Sequence, residues 1–262
     1  MNQGMGMSAT LSTSAGAAVR QYSRAAVLAI WAAAAVPMAV LAWVVAPAVA
    51  GGTATDRRFA VTLIGALTGG LIWQCVMVIA LVAREQRSLR WPVVRSALWL
   101  GPPSDQAGRR GGQLWLWTVP FILGFGALQL IPFGLSGPSN HDFGAFLGSA
   151  EGRDTLRGNW ALFGLILVLF LFNTVLGEEL LFRGLLLPRM RGAFGKADWV
   201  VNGVLMGVYH LHQPWSIPQS ILAGAFLFAY PTRRFRSAWM GIIIHSSQSV
   251  VLALIIFLVV SS

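Results

Sequence analysis

The sequence predicts an all-α fold, a polytopic transmembrane helical bundle of about seven spans (six to eight). Three observations carry this prediction. The chain of 262 residues is 56% hydrophobic and only 11% charged, against about 25% charged residues in a soluble domain. Its apolar runs reach the roughly 20 residues that a spanning helix needs. Its basic residues gather between those runs, as they do in the cytoplasmic loops of membrane proteins. That last pattern accounts for the net charge of +10 without any nucleic-acid partner. Membrane lipid is the expected surrounding.

The elements follow in chain order. Residues 1–24 read as a disordered tail, because Met, Gly, Ser, Thr and Ala dominate and no charged side chain precedes Arg20. Apolar runs then predict spans over 25–50, 59–83, 113–137, 159–187, 199–213, 215–231 and 238–260. The first ends in Ala46-Pro47-Ala48-Val49-Ala50, which resembles a signal-peptidase site. Its length exceeds the 7–15 residues of a signal h-region, so it reads as an uncleaved first helix. Segment 84–112 holds six arginines with Trp91 and Trp99, and reads as a cytoplasmic loop carrying an interfacial helix. The fifth and sixth spans are short and are separated by His212-Gln213-Pro214-Trp215. The organisation is therefore a tail (1–24), an N-terminal set of spans (25–158) and a C-terminal region (159–262) that holds the polar motifs.

Loop charge orients the bundle. With the N-terminus inside, fourteen of the 19 basic residues lie in cytoplasmic segments, four outside, and Arg183 within a span. This supports a multi-pass plasma-membrane protein with a cytoplasmic N-terminus. Eighteen of the basic residues are arginine, which points to a GC-rich bacterial genome. Cys75 is the only cysteine, so neither an internal disulfide nor a multi-cysteine metal site can form.

The segment Gly177-Glu178-Glu179-Leu180-Leu181-Phe182-Arg183 is where the chemistry is expected. A charge at the bilayer centre costs roughly 2.5–3.5 kcal/mol on insertion scales, and such groups face a bundle interior or a wet cavity. Glu179 and Arg183 are four apart and can pair on one helix face. Glu178 points about 100° away, which leaves it free to face the histidines, His210 and His245. Counted from the arginine-rich ends, Glu178 lies roughly 16 Å deep, His210 roughly 16–18 Å and His245 roughly 13 Å at the helical rise. Three helices thus place a polar residue at one depth, and the cavity between them is expected to open toward the arginine-rich face. A polar zipper that only joins helices is the alternative. His212 is read as an outer-mouth residue and His141 as a surface residue.

A glutamate in such a site can act as general base on water, and the histidines can hold that water or bind a metal. Glu178, His210 and His245 make an acceptable set for one divalent metal such as zinc. They make an equally acceptable metal-free set, and spacing leaves both open. Two other intramembrane chemistries lack their motifs: the chain has no HExxH and no Gly-x-Gly-Asp.

This constellation resembles the CPBP family, the CAAX proteases and bacteriocin-processing enzymes, which includes the type II CAAX prenyl endopeptidases. Glu178-Glu179-x-x-x-Arg183 matches the family's EExxxR motif. Met206-x-x-x-His210 matches its Phe-x-x-x-His motif with Met for Phe, and His245-x-x-x-Ser249 matches its third motif with Ser where Asn is frequent. The resemblance spans about 159–257. It implies an intramembrane endopeptidase acting on a peptide or membrane-protein substrate. Glu178 and the two histidines would activate water, with Glu179, Arg183 and Ser249 orienting them. A non-catalytic membrane-binding or bacteriocin-immunity protein on the same fold is the other reading.

Overall fold

A computed structural model describes residues 19–51, 56–133, 135, 137 and 141–262. Most of the expected tail, 1–18, lies outside the described residues. Its end is docked: the Tyr22 N–H bonds the Arg189 carbonyl at 2.9 Å, and the Tyr22 hydroxyl donates to Glu85.

Among the described residues four helices are long and apolar enough to cross a membrane: α1 (Arg24–Ala50), α2 (Asp56–Gln86), α7 (Trp160–Arg189) and α10 (Ala238–Val260). α1 starts where the Ser23 hydroxyl accepts from the Ala26 N–H, an N-cap that satisfies one of the first free donors. α3 (Trp91–Ala97) follows α2 and leaves Trp91 exposed, as an interfacial helix does. α4 (Thr118–Gln129) enters through a tight turn of helix, Gly112–Trp117. α5 (Phe143–Gly148) and α6 (Ala150–Leu156) are short.

The expected fifth and sixth spans are α8 (Asp198–Tyr209) and α9, in which Ile217–Leu222, Ala223–Ala229 and Tyr230–Phe235 run on without a break. Beside the four long helices, α4, α8 and α9 are shorter than a full span. α4 stops at Gln129, and α8 rises only about 18 Å against a hydrocarbon core of about 30 Å. Broken helices are tolerated at membrane depth where they line a cavity, and that is where α8 ends.

Small residues set the packing of α8 on α9. A Cβ on Gly203 or Gly207 would run into the Ala225 or Ile221 backbone. Gly203-x-x-x-Gly207 is thus the close-approach face of α8, the small-xxx-small device of membrane helices. Tryptophans staple the other contacts. Trp31 and Trp43 on α1 donate to the Leu205 and Leu211 carbonyls, each at 2.8 Å.

Arg189, counted above among loop cations, is fully buried. Its Nε meets Glu85 Oε2 at 2.9 Å, and its Nη1 donates to the Ala97 and Leu185 carbonyls. It closes the end of α7 onto α2 and α3, and so contributes no free charge to the surface.

Candidate active site

α7 holds the acidic pair at its centre. Its backbone widens to π-helical turns at Phe172–Gly177 and again at Leu180–Leu186, on either side of Glu178 and Glu179. Such widenings inside α-helices are frequent at functional sites. Glu178, Glu179 and Arg183 are 2%, 0% and 0% exposed, so each needs a partner inside the protein.

Glu179 receives two. Its Oε1 lies 3.4 Å from Arg183 Nη1 and 3.0 Å from His245 Nδ1. Arg183 extends past it, donating from Nη2 to the Gly224 carbonyl at 2.9 Å and lying over the Phe228 ring at 5.2 Å. The His245 ring stacks on Phe228 with centroids 4.7 Å apart. Gly241, one turn before His245, makes room for the group: a Cβ there would sit 2.6 Å from Glu179 Oε2 and 3.0 Å from Arg183 Cγ.

The carboxylate facing His245 is therefore Glu179, where the spacing argument had left that place to Glu178. The reason is that Arg183 occupies only one side of Glu179, and α10 approaches the other. Glu178 turns toward α8 instead. The Tyr209 hydroxyl bonds it and in turn accepts from Gln74 Nε2 at 2.6 Å. Glu178 Oε2 has no hydrogen-bond partner among the described residues.

His210 sits just past the end of α8. Its Nδ1 lies 2.9 Å from the Met206 carbonyl. A carbonyl only accepts, so Nδ1 carries the proton and Nε2 is left with its lone pair. His245 is held in the same sense, with Nδ1 on Glu179 and Nε2 unengaged. Both histidines line one cavity of about 440 Å³, together with Asn173, Gln129, Phe228 and Gln248. Glu178 lines a separate, smaller cavity of about 160 Å³ with His212. Asn173 and Gln213 border both.

Three further expectations change. His212 is buried and stacked on His210 with centroids 5.3 Å apart, because α8 ends at Tyr209 and the tighter turn His210–His212 brings both rings together. His141 packs against Trp43 and Phe59 rather than standing on the surface. On α10 it is Gln248, three residues from His245, that lines the cavity, whereas Ser249 is not among its lining residues.

The cavity mouth also differs. Leu135, Asp142, Trp215 and Ser216 border it. They lie in connections at the far ends of α4 and α8, opposite the arginine-rich segments. The motifs are near the arginine-rich end in sequence count, but the shortness of α8 brings the opposite surface down to them.

Among the described residues no group of three or more His, Cys, Asp or Glu side chains is placed to hold a metal ion. His210 and His245 share a cavity, and Glu178 faces the neighbouring one.

Tyr209, Gln74, Asn173 and Gly241 were not singled out from sequence. Gln74 had a readable signal, as a lone amide in an apolar run, and Gly241 another, four residues before His245.

Residues 159–251 match the family model described as Rce1-like, type II CAAX prenyl endopeptidase Rce1-like. No curated protein and no solved structure matches the chain. The matched stretch runs from the start of α7 into the middle of α10 and contains Glu178, Glu179, Arg183, His210 and His245. Over residues 159–251, short of half the chain, the protein is thus similar to the type II CAAX prenyl endopeptidases.

Proposed function

We propose that this protein is an intramembrane endopeptidase that hydrolyses peptide bonds with an activated water, in the multi-pass plasma membrane setting read from the sequence. One observation carries the reading: His210 and His245 line the same cavity, each tied through Nδ1 and each with Nε2 free. A water between the two Nε2 atoms has two acceptors for its protons. When its oxygen attacks the scissile carbonyl carbon, its proton passes to His245 Nε2. The imidazolium so formed is stabilised by the Glu179 carboxylate on Nδ1, the role that a buried carboxylate plays beside a general-base histidine. The side-chain amides of Asn173 and Gln248 are the donors available to the oxyanion. As the intermediate collapses, the C–N bond breaks and His245 returns the proton to the leaving amine. Arg183 balances the charge of Glu179 and fixes its orientation. The substrate would be a peptide or a segment of a membrane protein entering from the Trp215–Ser216 side.

A second assignment within the same reaction rests on the partnerless Glu178 Oε2. If the two cavities join at Asn173, Glu178 becomes the base and His210 and His245 position the water. The experiment is a set of variants of the full chain reconstituted in liposomes with cell-envelope peptides, reading new peptide ends by mass spectrometry. His245→Ala should lower turnover by about 10²- to 10⁴-fold, the range for loss of a general base. Glu179→Gln should follow it, with Glu178→Gln retaining the larger share of activity. The reverse order of the two glutamine variants assigns the base to Glu178. Full activity in His245→Ala would sink both assignments, and the absence of any new ends with the unaltered chain favours a binding or immunity protein.

A further inference from the structure

The arginine-rich face carries a further pocket that the peptidase reading does not use. It has a volume of about 720 Å³ and lies where Arg191, Lys196, Arg233, Arg234 and Arg236 come together. Asp105 and Asp198 are the carboxylates in its wall, and both are occupied. Asp105 holds Arg109 at 2.6 Å. Asp198, fully buried, holds Arg233 at 2.8 Å and reaches Arg191 at 3.8 Å. Those pairs anchor the pocket. Lys196, Arg234 and Arg236 face it with no carboxylate partner among the described residues.

The pocket is therefore a preorganised cationic site, not only a loop rich in arginine. Arg236 caps α9 in a left-handed conformation, φ 49°, which carries a conformational cost in any residue but glycine. Trp199 and Tyr230 form the pocket's inner border, with ring centroids 5.4 Å apart. From there an apolar strip continues along the outside of α8 and α9. Val200, Val204, Phe226 and Leu222 are each more than a third exposed along it, and Phe226 lies edge-on to Trp199 at 5.6 Å.

We infer that this pocket binds the phosphate of an anionic membrane phospholipid, whose acyl chains lie along the strip between Val200 and Phe226. The two halves of the surface require a ligand with an anionic head joined to an apolar tail. Basic pockets between helices at a membrane surface recognise lipid head groups through the same combination. A soluble phosphate would use the cations and leave the strip unused. The inference rests on the membrane setting and is independent of the peptidase reading.

The test uses the full chain in neutral detergent micelles, with phosphatidylglycerol or phosphatidylcholine added and bound lipid counted by native mass spectrometry. Phosphatidylglycerol should bind in preference to phosphatidylcholine. The variant Lys196→Ala/Arg234→Ala/Arg236→Ala should weaken it by about a hundredfold, given the usual worth of a basic side chain near an anionic surface. Arg84→Ala/Arg87→Ala/Arg90→Ala removes the same charge elsewhere on this face and should leave binding near its starting value. Equal loss in both triple variants would mean diffuse attraction and would overturn the site. Competition by inorganic phosphate at concentrations equal to the lipid would overturn the lipid assignment.

Discussion

The Glu179–Arg183 pair permits the sharpest test of how the site is held. Both side chains are fully buried, and the ion pair spans 3.4 Å, longer than a good hydrogen bond. Its value is thus mainly charge compensation rather than hydrogen-bond geometry. Arg183→Met keeps much of the volume and removes the charge. It leaves Glu179 with His245 alone, and it leaves the Gly224 carbonyl without its donor. Removing one member of a buried pair costs about 3–5 kcal/mol, a large share of the roughly 5–15 kcal/mol that holds a native protein together. Glu179→Gln in the same chain should return part of that loss, because no uncompensated carboxylate remains. The assay is a double-mutant cycle on unfolding in detergent, read with the yield of monodisperse protein. The single Arg183→Met variant should be less stable than Arg183→Met/Glu179→Gln, with a coupling above about 1 kcal/mol, within the range for residues in one network. A coupling within about 0.5 kcal/mol of zero, the scatter expected for independent sites, would refute the idea that Arg183 exists to hold Glu179.

Other outcomes follow from the same coordinates. Gly207→Ala should lower the yield of folded protein, with a cost of about 1–3 kcal/mol for overpacking, because its Cβ would meet Ile221 backbone atoms at the α8–α9 contact; melting temperature in detergent measures it, and an unchanged value would deny that contact. Ser216→Cys in a Cys75→Ala background should react with a membrane-impermeant thiol reagent from the side opposite that which labels Arg95→Cys. Labelling of both from one side would refute the cavity mouth described above. Chelation should leave turnover unchanged, since the two histidines lack a third donor. Loss of activity that zinc restores would show that Glu178 moves into the histidine cavity.

The sequence by itself determined the class of fold and which helix carries the buried charges. Hydropathy decides which segments are helical in a bilayer, since every backbone polar group must there be satisfied within the helix. The cost of burying charge makes Glu178, Glu179 and Arg183 conspicuous in an apolar run, and a four-residue spacing is enough to pair Glu179 with Arg183. What sequence spacing does not contain is the neighbour that each side chain meets. A helix face is readable from periodicity, but not which helix packs against it. Hence Glu179 met His245 and Glu178 met Tyr209, although the two carboxylates are adjacent in the chain. The π-turns on either side of them also break the 100° rule by which faces are assigned. Where α8 stops was likewise a tertiary matter. Its Gly203 and Gly207 let α9 approach so closely that a 12-residue helix suffices, and the turn beyond it folds His210 and His212 together. Packing of that kind, decided by contacts far apart in sequence, set the mouth of the cavity and parted Glu178 from the two histidines.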